Sequence, residues 1–247
     1  MKSLVAILMI ACAAGAQPGW SPNDLSVLRP AATAQSAYAL TNFSGCVAWY
    51  DPEISPLNTN ATVITLSDLG PFGYHLTNGS AASTWPITKS AGLNGFATLL
   101  SAGKNIRSQT LSASQPVDCF LVAALTNNST KVYFDCAAAF TFNSLQIQMY
   151  AGSTLLAGYF AAGTTNTWLV WNFTFNGASS NARTNNTVTG STGNAGSASL
   201  SGLAIGSQRS LNFAASLEWA TFAIFTNLDS AGRTAIFSAL TNRYNLQ

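Results

Sequence analysis

The sequence predicts an all-β protein: a two-sheet antiparallel jelly-roll sandwich with a short C-terminal helix. Three observations carry the prediction. From Phe43 onward, short alternating apolar and polar runs are separated by clusters of Asn, Gly, Ser and Thr, the spacing of a sandwich and not of βαβ units. The run TWLVWNFTF places Leu169, Trp171, Phe173 and Phe175 on one side and Trp168, Val170, Asn172 and Thr174 on the other, as a strand requires. A helical period appears only in LDSAGRTAIFSALTNRY, where Ile236, Phe237, Leu240 and Tyr244 share a face and Asp229 or Ser230 stands at the capping position.

At 247 residues the chain is long for one domain, yet sandwiches of this size form a single core. No internal repeat divides it. Hydrophobic residues make up 48% and charged residues 7%, so the surface is predominantly neutral and polar. Such a surface suits an extracellular or particle-borne protein, because cytosolic proteins keep soluble with interspersed Lys and Glu. The 10 Lys and Arg residues are scattered and the net charge is +2, which argues against a nucleic-acid partner.

Three segments follow along the chain. Residues 1–16 read as a signal peptide-like segment, with Lys2, an apolar run from Leu4 to Ala13, and small residues at Ala14-Gly15-Ala16. This run is too short to span a bilayer, and no other stretch reaches the roughly 20 apolar residues required. Met9-Ile10-Ala11-Cys12 loosely resembles a bacterial lipobox, which makes lipidation at Cys12 an alternative to cleavage. Retention of the segment is the alternative that suits a virion protein. Residues 17–42 form a Pro- and Ala-rich leader or linker, with Trp20 and Tyr38 as candidate anchors, and residues 43–247 form the sandwich.

Within the sandwich, PVDCFLVAALTNNSTKVYFDCA reads as a hairpin turning at Asn127-Asn128, with Cys119 opposite Cys136, Leu121 opposite Phe134 and Ala123 opposite Val132. The other face pairs Phe120 with Asp135 and Val122 with Tyr133, giving one core face and one mixed face. Cys119 and Cys136 are then candidates for a cross-strand disulfide, and equally for small core residues. Cys46 has no partner in this scheme and is expected in the core. The run SLEWATFAIF reads as a strand buried on both faces.

Three stretches together resemble the laminin G-like domains of the concanavalin A-like superfamily, of bacterial or phage type. They are GCVAWYDPEIS; LSDLGPFGYHLTNG followed by TWPI; and LSGLAIGSQ with EWATFAIFTNLDSAGRTAIFSALTNRYNL. In the last, Gly206, Glu218, Ala223-Ile224-Phe225, Leu228, Arg233, Ile236, Leu240 and Tyr244 occupy the positions of that family's closing strands and helix. The Asp68 loop departs from the family pattern at Leu66 and at Gly70-Pro71. The resemblance runs from about Phe43 to the C-terminus and implies a surface-displayed recognition domain.

Catalytic sets are missing from the sequence. Retaining glycosidases need two carboxyl groups on one strand face about 5 Å apart, and Glu53 and Glu218 are the two glutamates, neither so paired. His75 is the single histidine, and no Gly-x-Ser-x-Gly nucleophile turn accompanies it. Four cysteines without Cys-x-x-Cys spacing make no zinc site. No cofactor or metal is expected; Asp51, Asp68 and Asp135 are the carboxylates available to a rim calcium, without an acidic cluster to support one.

Binding remains. Sugars are held by aromatic faces and by amide and hydroxyl hydrogen bonds, and Tyr74, His75, Asn78 and Trp85 are the candidate ligand-binding set. The expected function is non-enzymatic glycan or cell-surface polysaccharide recognition by a secreted or surface-displayed adhesion domain. Two other readings compete with it. One is a structural virion protein, a capsid decoration or fibre component contacting other proteins. The other is a divergent polysaccharide hydrolase or lyase using Glu218.

Overall fold

A computed structural model describes residues 38–55, 65–78, 88–101, 106–126, 132–136, 140–143, 146–159, 165–206 and 217–246. The chain divides into Met1–Ala37 and Tyr38–Gln247, and the first unit, with Cys12 and the signal-like segment, lies outside the described residues. In chain order the strands are β1 (Cys46–Tyr50), β2 (Thr65–Leu66), β3 (Leu76–Asn78), β4 (Thr88–Leu93), β5 (Phe96–Leu100), β6 (Ile106–Ala113), β7 (Val117–Leu125) and β8 (Val132–Cys136). They continue as β9 (Phe140–Asn143), β10 (Gln146–Tyr150), β11 (Thr154–Tyr159), β12 (Trp168–Phe175), β13 (Asn181–Thr184), β14 (Thr187–Val188), β15 (Leu200–Ile205) and β16 (Leu217–Thr226). Helix α1, Ser230–Tyr244, follows.

Two antiparallel sheets stack as a sandwich. The first runs β14-β13-β12-β7-β16-β5-β4, with β1 also pairing β16, and the second runs β11-β10-β9-β8-β15-β6-β3-β2. The inter-sheet core contains Tyr50, Leu121, Phe134, Phe173, Trp219 and Phe222, with the Phe134 ring 5.5 Å from Phe173 and 5.3 Å from Phe222. As predicted, Trp171, Phe173 and Phe175 of β12 join this core, with Leu169 packed against it.

A second apolar layer lies on the outer face of the first sheet, under α1. Phe120, Val122, Val170 and Phe225 meet Ile236, Phe237, Leu240 and Tyr244 of the helix, and the rings of Phe120 and Phe237 stand 5.4 Å apart, edge to face. The helix starts where its chemistry says it should: the Asp229 carboxylate accepts from the Gly232 amide at 2.7 Å, satisfying one of the orphan N–H groups of the first turn. It ends on Asn245 in the left-handed conformation, φ 49°, with Arg243 in the last turn, where a cation meets exposed carbonyls.

The second layer overturns the predicted hairpin. β7 pairs β12 on one side and β16 on the other, whereas β8 lies in the other sheet between β9 and β15. All of β7 is buried, Phe120 and Val122 included. The hairpin register would set the Asp135 carboxylate beside Phe120, on a face covered by α1, where an unpaired charge is costly. Cys119 and Cys136 therefore sit in different sheets as buried thiols, not as a disulfide, and Cys46 is also a buried thiol.

Two buried ion pairs fasten the helix. Near its start, Arg233 Nε donates to Asp118 Oδ1 at 2.8 Å, where Asn172 Nδ2 and Thr174 Oγ1 also donate, at 3.1 and 2.6 Å. At its end, Arg243 Nη2 lies 3.0 Å from Asp51 Oδ2, an oxygen that also accepts from Tyr244 OH at 3.1 Å and Thr221 Oγ1 at 3.2 Å. Burial pushes the Asp51 carboxyl upward, and Arg243, the Glu53 and Ile54 amides and the Tyr244 hydroxyl pull it back. The Arg243 guanidinium stacks 4.1 Å from the Tyr38 ring, so the segment entering β1, with its buried Leu40, is held to the same point.

Burial, then the charge of Asp68, pushes the Cys46 thiol up to about 12, and burial raises Cys119 well above its ordinary value. Thiolate is the reactive form. Maleimide at pH 8 is accordingly expected to leave Cys46, Cys119 and Cys136 unmodified in the folded protein and to label all three in denaturant, read by peptide mass spectrometry. A Cys119–Cys136 linked peptide in a non-reduced digest would contradict the arrangement.

Candidate ligand-binding loop

Nine residues, 67–75, connect β2 to β3, which pair with each other at an end of the second sheet. The connection folds around one carboxylate. Asp68 Oδ1 accepts from the Trp49 amide at 2.8 Å and the Gly70 amide at 2.7 Å, and Oδ2 accepts from the Tyr74 amide at 2.8 Å. The Leu69 amide donates to the Trp49 carbonyl at 2.7 Å, so the loop is laced to β1 of the opposite sheet. These bonds satisfy backbone donors that would otherwise be buried unpaired.

Glycine is required twice. A Cβ on Gly70 would stand 2.9 Å from the Ala48 Cα, closer than the backbone of β1 permits. Gly73 has φ +68°, the left-handed region that other residues enter at a cost. The turn between them lifts Phe72 into solvent at 61% exposure, with its ring 5.8 Å from that of Tyr74.

Tyr74 is clamped on both sides of its backbone, its amide by Asp68 and its carbonyl by Tyr50 OH at 2.6 Å. Its half-buried ring packs against the inter-sheet core. His75 is exposed and its Nδ1 accepts from the Asp68 amide at 3.1 Å. With Nδ1 accepting, the N–H donor of the ring is Nε2, on its other edge.

Of the four residues chosen from the sequence, the structure brings Tyr74 and His75 together on this loop. Asn78 closes β3, with its backbone opposite Ile106, and Trp85 lies outside the described residues. Phe72 was not in that set. Its signal was present: an aromatic residue in Gly70-Pro71-Phe72-Gly73, where the turn-forming neighbours leave little chance of a core position.

The carboxylates considered for calcium or catalysis are occupied elsewhere. Asp68 serves three amides, Asp51 serves Arg243, and Asp135 belongs to β8, opposite Thr141 and Ala204. Glu218 Oε1 accepts from the Thr98 hydroxyl and lies against Gly92, while Glu53 Oε2 accepts from the Ala97 amide at 2.8 Å. Among the described residues no group of three or more His, Cys, Asp or Glu is placed to hold a metal ion, and no helix is long and apolar enough to cross a membrane.

No protein-family profile matches the chain, and no curated protein does. Solved structures do. The botulinum neurotoxin serotype D ligand binding domain in complex with N-acetylneuraminic acid is similar with a TM-score of 0.55 and 12% identity, over 81% of this chain and 52% of that one. The botulinum neurotoxin type G receptor binding domain gives 0.51 and 11% over 80% and 52%, and Trypanosoma rangeli sialidase in complex with sialic acid gives 0.50 and 9% over 81% and 33%. The chain thus spans about half the length of the neurotoxin chains. At these identities the likeness is one of fold.

Replacing Asp68 by Ala strips one buried and two half-buried amides of their acceptor, and a buried hydrogen bond left unmade costs roughly 1–3 kcal/mol. The expected loss is about 3 kcal/mol in urea unfolding. A loss below about 0.5 kcal/mol, the range of an ordinary surface substitution, would contradict the role assigned to this carboxylate.

Proposed function

We propose that this domain is a non-catalytic glycan-recognition module of the concanavalin A-like, laminin G-like type, exported and displayed on a surface, which engages sugar through loop 67–75. The observation that carries the reading is Phe72: an aromatic ring 61% exposed beside Tyr74, on a loop whose backbone is fixed by Asp68 before any ligand arrives. Most other large aromatic side chains of the described residues are buried.

The chemistry fits a sugar ring. Its apolar C–H face stacks on Phe72 and the exposed edge of Tyr74, and a hydroxyl accepts from His75 Nε2–H. Fixing the loop in advance lowers the entropy lost on binding, which matters for a small, shallow contact. The fold shared with a neurotoxin ligand binding domain in complex with N-acetylneuraminic acid and a sialidase in complex with sialic acid supports a sugar as the ligand class. The engagement of Glu53 and Glu218 with Ala97 and Thr98 supports a binding role over a hydrolytic one.

A glycan array probed with the folded domain tests the reading. Wild type is expected to select a subset of glycans, and Phe72→Ala to bind them at least tenfold more weakly, about 1.4 kcal/mol, with its thermal midpoint unchanged because the ring is mostly solvated. Absence of binding with and without calcium, or unaltered affinity in Phe72→Ala, would overturn it.

A further inference from the structure

On the outer face of the first sheet, beside the start of α1, the pairing register gathers polar side chains. Asp118 of β7 lies opposite Thr174 of β12, which lies opposite Asn181 of β13; one step along the same face, Asn172 lies opposite Arg183. The β13–β14 turn touches the helix, with Asn186 Nδ2 3.5 Å from Thr234 Oγ1. Arg233 is engaged twice, its Nε on Asp118 and its Nη2 on the Leu228 carbonyl at 2.8 Å.

Arg183 is not. Its Nε is sealed from solvent without an acceptor, and among the described residues no carboxylate forms an ion pair with it. The same face holds two buried acceptors without donors, Asp118 Oδ2 and Asn181 Oδ1. Burial, and then the positive charge of Arg233, holds the Arg183 guanidinium below its usual value, and Asp118 offsets this only in part. Two guanidinium groups therefore stand near one carboxylate, Asp118, which among the described residues is ion-paired with Arg233 alone, and the three together carry a surplus positive charge.

We propose that Arg183 anchors a second binding site, separate from loop 67–75, for a carboxylate or sulfate group of an acidic sugar. A planar guanidinium meets an oxyanion through paired N–H donors, here its two terminal Nη groups, since Nε is sealed from solvent. The anion supplies the charge that Arg183 lacks within the fold.

Thermal unfolding of the Tyr38–Gln247 unit within the full chain, in sodium sulfate, sodium glucuronate and sodium chloride at matched ionic strength, tests this. A ligand that binds only the folded state raises the midpoint with concentration, and sulfate also acts generally on burial, so the comparison is between variants. Wild type is expected to gain over Arg183→Gln in sulfate or glucuronate and not in chloride. Arg183→Lys is expected to fall between, since it keeps the charge and loses the fork. Without added anion, Arg183→Gln is expected to be at least as stable as wild type.

A gain in glucuronate equal to or above that in sulfate assigns the site to acidic sugars; a gain in sulfate alone assigns it to free inorganic anions and overturns the sugar assignment. Equal shifts for wild type and Arg183→Gln in every salt would overturn the site itself. So would a lower midpoint of Arg183→Gln in the absence of anion, because it would show that Arg183 is already paired.

Discussion

The Asp51 carboxylate is the point on which three parts of the fold converge. It stands just beyond β1, receives Arg243 and Tyr244 from the end of α1, and receives Thr221 from β16. Thr221 is available because β16 carries one extra residue relative to β7, between Trp219 and Thr221. Before that bulge Leu217 and Trp219 enter the inter-sheet core; after it Phe222 and Ile224 do. Ala220 and Thr221 are left together on the helix side, and the Tyr244 hydroxyl accordingly reaches the Ala220 carbonyl at 3.2 Å.

This arrangement explains how a buried charge is tolerated. Removing a carboxylate from water costs several kcal/mol, and the cost is offset only when partners and hydrogen bonds surround it. Asp51 has a guanidinium, two hydroxyls and the Glu53 and Ile54 amides. The consequence is geometric: β1 is held in register with β16, and Trp49 of β1 in turn presents the amide and carbonyl on which Asp68 and Leu69 hang. The helix staple and the candidate binding loop are thus linked through five residues of one strand.

The features legible in the sequence were those set by local periodicity. The α1 face of Ile236, Phe237, Leu240 and Tyr244, a cap at Asp229 or Ser230, and the alternation in β12 follow from spacing alone; that the cap is Asp229 comes from the structure. Strand partnership did not follow. β7 is apolar on both sides because one side faces the other sheet and the other faces α1, and a local register count cannot tell a helix-covered face from a strand-paired edge. Phe72 stands outside the set read from the sequence; its exposure comes from Gly70 and Gly73 turning the chain outward around Asp68.

The proposed sugar contact rests on a loop that is built before any ligand arrives. Amide hydrogen exchange of the sugar-free protein measures that property directly. Slow exchange is expected at Trp49, Gly70 and Tyr74, whose amides are bound to Asp68, approaching the protection of β7. Exchange at Gly70 and Tyr74 as fast as in an unstructured peptide would contradict it.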